Sequence, residues 1–171
     1  MQKLVFISLI MATVLARAED APAPAQQAAP VPAARGPSLE LSLEAARTAI
    51  ETCIGLEQKV SVSVIDSAGI LKVLLASDGA SARGVQSSNN KALTALAFNN
   101  ATSKLGEQAK TDKVLADKLA ANPNFNTRAG GLLLKVNDEL IGAIGVGGAR
   151  GSEKDEACAL AGLQKVQARL Q

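Results

Sequence analysis

Apolar and polar positions along the chain mark out a helix, a hairpin, a helical middle, a second hairpin and a closing helix. Leu43, Ala46, Ile50, Cys53 and Ile54 recur at helical spacing behind Ser42, which is placed to cap them, with Glu44 in the first turn. That helix is expected to end near Glu57. Val60, Val62 and Val64 then alternate with Ser61 and Ser63, the period of a strand. Asp66-Ser67-Ala68-Gly69 predicts a turn, and Ile70 to Ala76 the returning strand. Gly84 opens a polar segment leading into Asn90 to Phe98, where Leu93, Leu96 and Ala97 share one helical face. Thr102 and Thr111 are each placed to cap a short helix, the second over Asp112 to Ala121, and Asn122-Pro123-Asn124 breaks it.

The stretch from Arg128 to Val166 carries the strongest pattern. Two β-rich runs meet at Asn137-Asp138, residue types that tolerate the positive φ of a two-residue hairpin loop. Pairing Val136 with Glu139 sets Leu134 against Ile141 and Leu133 against Gly142. One face then carries Leu132, Leu134, Ile141 and Ala143, and the other Leu133, Leu140, Ile144 and Val146. Both are apolar, so both should be covered, with helices as the covers. Ser152, followed by Asp155 three residues on, approximates a capping box for the last helix. The order predicts an α/β (α+β) domain, an antiparallel sheet built from two hairpins and flanked by helices.

Composition narrows what folds. Lys3, the apolar run Leu4 to Leu15 and Ala16-Arg17-Ala18 read as a signal peptide over 1–18, too short to span a membrane. Residues 19–37, rich in Ala, Pro and Gln, read as a flexible linker, leaving 38–171 as one domain. The full chain has 18 basic and 16 acidic residues, and cleavage after Ala18 removes Lys3 and Arg17, leaving sixteen of each. A neutral mature chain gives no electrostatic case for nucleic acid or an anionic membrane. The expected location is periplasmic or secreted. His, Trp and Tyr are absent, and both Met residues fall in the leader, so the usual proton shuttle and the commonest metal ligand are missing.

The chain resembles the GlcG/HbpS-like haem-binding family. The likeness rests on Val62 to Gly69, on Lys91-Ala92-Leu93-Thr94-Ala95 with Phe98, Thr102 and Leu105, and on Gly130-Gly131-Leu132. It continues through Gly142 to Val146 and Asp155-Glu156 to Leu163. The resemblance implies a profilin-like domain that assembles into homo-oligomers. In the family some members bind haem, some are secreted accessories to redox or iron sensing, and others accompany glycolate or diol metabolism. The expectation is an exported binding protein for a small, haem-like ligand. The alternatives are an enzyme or enzyme accessory in hydroxy-acid or diol metabolism, and a ligand-free oligomeric interaction module.

Ordinary haem ligands are His, Met, Tyr or a Cys thiolate. Only Cys53 and Cys158 survive in the mature chain. By resemblance to members in which a Thr oxygen approaches iron, Thr102 is nominated, against a plain reading as a helix N-cap. Lys91 and Thr94 are assigned to a pocket between subunits, where Lys91 would pair a propionate, against a solvated helical face. Phe98 belongs with this cofactor-binding group. Gly130 and Gly131 would let a ligand or backbone approach, against a bulge at strand entry. The run Gly142 to Gly151 fails dinucleotide spacing, because Arg150 stands where the last Gly should be. Arg150 at a helix N-terminus could still hold an anion. Asp155 and Glu156 read as helix-dipole partners first. With the first and last helices side by side, as the resemblance implies, Cys53 and Cys158 could form a disulfide; two buried free thiols are the alternative.

Overall fold

In the computed structural model, which describes residues 34–171, four strands form one antiparallel sheet in the order β2-β1-β4-β3. The expected signal peptide and most of the linker lie outside the described residues. The strands are β1 (Ser61–Asp66), β2 (Leu71–Ala76), β3 (Gly131–Val136) and β4 (Glu139–Gly147). The two central strands, β1 and β4, are the most deeply buried, because helices cover both faces. On one face lie α1 (Leu39–Gly55) and α5 (Ser152–Val166); on the other lies α2 (Ala82–Phe98). Two short helices, α3 (Thr102–Gln108) and α4 (Lys113–Ala120), follow α2. Among the described residues no helix is long and apolar enough to cross a membrane.

The second hairpin holds, but its register shifts. Val136 pairs with Glu139 and Lys135 with Leu140, after which Leu134 faces Gly142 and Leu133 faces Ala143. The irregularity leaves Ile141 as an extra residue on β4. A one-residue slip exchanges faces. Leu132 and Leu134 therefore join Ile144 and Val146 beneath α1 and α5, while Leu133 and Ala143 face α2. The expected grouping had placed Ala143, Ile144 and Val146 on the opposite sides. At the turn Asn137 takes a positive φ of 54°, and Asp138 does not.

Helix starts differ from the sequence expectation: α1 and α2 begin upstream of the apolar runs, and α4 begins one residue later than expected. Ser38 caps α1, accepting the Leu41 N–H at 3.2 Å, while Ser42 lies buried inside the helix. The buried stripe is Ala45, Ala46, Ala49 and Cys53, whereas Leu43 and Ile54 are exposed. Small residues face inward because α5 comes very close; a side chain at Gly162 would strike Ala45 and Ala49. The polar segment after Gly84 is itself helical, with Ser81 as the α2 cap accepting from Gly84 N–H. Ser88 pays for its burial there by a 2.8 Å hydrogen bond to Ser63 on β1. Of the three residues placed on one helical face, Leu93 and Leu96 are half-buried and Ala97 is exposed. Asp112, not Thr111, caps α4.

Cys53 on α1 and Cys158 on α5 form a disulfide, with Cα atoms 5.6 Å apart and a sequence separation of 105.

Candidate functional site

The middle of α2, the start of β3, the end of β4 and the start of α5 converge at one end of the sheet. Lys91 lies at their centre and is only 1% exposed. Its Nζ donates to Asp155 Oδ2 at 2.7 Å and to the Val146 carbonyl at 2.9 Å. Asp155 Oδ1 accepts the Ala149 N–H at 3.0 Å, so this carboxylate faces inward and no Ser152 capping box forms. Gly151 is the α5 cap. Burial pushes Lys91 below its ordinary pKa, against the opposing attraction of Asp155. Burial likewise pushes the Asp155 carboxyl up, against the opposing attraction of Lys91.

Gly130 and Gly131 make this convergence feasible. A side chain at Gly130 would come within 2.9 Å of Lys91 Nζ and 2.7 Å of Val146 O, and one at Gly131 would collide with Lys91 O. The close neighbour is the protein's own backbone and amine. Glu156 holds the same corner, accepting from Gly130 N–H at 3.2 Å and from Ser103 Oγ at 2.9 Å.

Thr102 is fully buried and caps nothing, since Ala101 occupies the N-cap of α3. Its hydroxyl donates to Arg128 O at 2.8 Å and accepts from Gly131 N–H at 2.9 Å, stitching α3 to the entry of β3. Thr94 is also buried; it donates to Asn90 O and accepts from Asn126 N–H at 2.8 Å. Phe98 packs edge-on against Phe125, ring centroids 5.1 Å apart. Thr94 and Phe98 therefore anchor the loop between α4 and β3. Lys91, Thr102, Gly130 and Gly131 thus meet in one cluster, with Thr94 and Phe98 one step along α2. Lys91 is not on the solvated face weighed for it, and its amine is engaged within the chain.

Two clefts border this cluster and share Arg128 and Ser152. One, of about 420 Å³, is lined by Arg83, Asn90, Asn126 and Arg128, and reaches Lys91 and Asp155. The other, of about 570 Å³, runs past Lys104, Lys110 and Arg128. Arg83 and Arg128 form no ion pair among the described residues. Exposed guanidinium groups beside a concave surface suit carboxylate or phosphate groups. Sequence reasoning passed over Arg83, Asn126 and Arg128, because each sits in a polar stretch with no periodic pattern. The Arg128 position, just ahead of Gly130-Gly131, was the one local hint.

A family model described as haem degrading protein HbpS-like matches residues 38–164. Among solved structures, HbpS is similar at 31% identity, with 82% of this chain and 96% of that one covered and a TM-score of 0.70. A double mutant of Streptomyces reticuli HbpS is similar at 33% identity, with 84% and 97% covered and a TM-score of 0.71. A PduOC–haem complex shares 25% identity, with 76% and 94% covered and a TM-score of 0.69. No curated protein matches the chain significantly.

The side chains present fit one part of a haem and not the other. Arg83 and Arg128 suit its carboxylates. For the iron, both Cys are bonded to each other, and the described residues include no His, Tyr or Met. Nor do they hold any cluster of three or more His, Cys, Asp or Glu suited to a metal ion.

Proposed function

Because the chain belongs to the HbpS-like haem-degrading protein family, we propose that it is an exported protein binding a haem-class tetrapyrrole through its carboxylates. The observation that carries this reading is the pair Arg83 and Arg128 lining one cleft, neither in a salt bridge among the described residues. Each guanidinium offers a rigid fork of donors to a carboxylate. The inward chemistry is separate: Lys91, Asp155, Thr102 and Glu156 hold the floor of the cleft in place through the hydrogen bonds described above. Export is supported by the leader-like 1–18 segment and by the Cys53–Cys158 bridge, since disulfides persist in oxidising compartments. Assembly with further copies is favoured by edge strand β2 and its approach, where Ile70, Leu71 and Leu74 are 60%, 46% and 41% exposed; a single monomeric mass by light scattering would refute it.

Haemin titration tests the central reading. Binding should shift the Soret band, and Arg83→Gln or Arg128→Gln should each weaken it by about tenfold, the scale of one charge-assisted hydrogen bond. An unshifted Soret band at all haemin concentrations refutes the proposal. One observation favours a second reading, an enzyme acting on a small hydroxy acid: Lys91 and Asp155 border the same cleft as the two arginines. Turnover of such an acid, lost in Asp155→Asn, would establish it.

A further inference from the structure

The mismatch between the carboxylate partners and the missing iron ligand has a direct consequence. We infer that this chain is blind to the metal: it holds the tetrapyrrole dicarboxylate as a class, iron-free porphyrin included, and supplies no side chain to the iron.

The whole sequence contains no His and no Tyr, so no number of copies assembled together can bring one to a shared site. Cys53 and Cys158 are each 0% exposed and spent on one another. Met1 and Met11 fall in the leader that export removes. The nominated residues with a donor atom are then Lys91, Thr94 and Thr102, and the Thr94 hydroxyl is engaged by Asn90 O and Asn126 N–H. Thr102 is 0% exposed; its proton is given to Arg128 O and its hydroxyl oxygen already accepts from Gly131 N–H. Moving it outward would strand that N–H and that carbonyl together. Lys91 sits between Asp155 and Val146 O, and leaving would strand a buried carboxylate. What a ligand meets at the cleft is instead Arg83 and Arg128, which recognise charge and planarity, features that a porphyrin keeps when its metal is removed or exchanged.

This inference rests on the tetrapyrrole reading above, and the test separates the two. The exported protein, without residues 1–18, is titrated with haemin, zinc protoporphyrin and metal-free protoporphyrin IX, read by absorbance and by porphyrin fluorescence, with protoporphyrin dimethyl ester as the uncharged comparison. The three dicarboxylates should bind within about threefold of one another, well short of the tenfold that 1.4 kcal/mol represents, and the diester should bind far more weakly. Bound haemin should show the Soret shift of haem taken out of water but no band from a protein ligand, and the spectrum should be the same in Thr102→Ser and Thr102→Val. Haemin binding more than about tenfold tighter than the metal-free porphyrin, with a ligand-field band altered in Thr102→Val, overturns metal blindness and leaves the tetrapyrrole reading standing. Binding of none of the three overturns both.

Discussion

Lys91 and Asp155 are two charges taken out of water together, and the consequences show in how each responds to loss of the other. Lys91→Met leaves a buried carboxylate with only the Ala149 N–H, and should cost ~3–5 kcal/mol by urea denaturation. Adding Asp155→Asn removes the stranded charge but keeps an acceptor for that N–H. The double variant should recover much of the loss, with a coupling of ~2–3 kcal/mol. Additive losses would show that the pair acts only through packing. The pH response has a definite sign. Asp155 is raised from its ordinary 3.8 in the folded protein. Between those two values the folded state binds the extra proton, so its contribution favours folding below about pH 4 and is lost as pH rises through the folded value. Measured against Lys91→Met/Asp155→Asn, the wild type should therefore gain stability on acidification through that window. No local pattern reveals this pair, because its members are 64 residues apart. The sequence motifs located Lys91, Thr102, Gly130 and Gly131 as a group; they did not show that these residues serve each other.

At the scale of elements, the sheet receives α2 backbone to backbone. A side chain at Gly145 would run into Ser88 O, and one at Gly147 would come within 2.7 Å of Ser88 N. Gly145→Ala must therefore push a helix off a sheet, and a loss of ~1–3 kcal/mol is expected from thermal melts, with Gly145→Val worse. An unchanged melting temperature would mean that α2 yields freely. On the opposite face the disulfide fastens α1 to α5. Closing so long a loop stabilises the domain by up to ~4–5 kcal/mol in the chain-entropy view, so Cys53→Ala/Cys158→Ala should lower the melting point sharply. Strands were the most legible elements, because the Val-Ser alternation of β1 and the apolar runs of β3 and β4 leave few other structures open. Helix ends were less so. Ser38 and Ser81 lie before polar or mixed residues that carry no helical period of their own, so Ser42 and Asn90 looked like the starts. The β4 irregularity at Ile141 was illegible for a related reason: an added residue leaves an apolar run looking just as apolar.

Across the whole molecule, the pattern fixes the layers and leaves the chemistry to the ends of the strands. Both faces of the sheet were expected to be covered, and they are. The cleft forms where β3 begins and β4 ends, from arginines and asparagines that no periodicity marks. Without Trp or Tyr the apoprotein should be almost transparent at 280 nm, which makes any bound pigment easy to see during purification; a strong band there in the unloaded protein would contradict the sequence itself. The bridge between the first and last helices also changes what damage can do. A protease that cuts the exposed stretch around Pro123 and Asn124 severs the strand of peptide inside a closed ring, and the two fragments stay tethered through sulfur. On a gel such a clipped molecule runs as one band until a reductant is added. Pulled by its termini, the domain can unravel only as far as Cys53 and Cys158, and everything between them is shielded from the load.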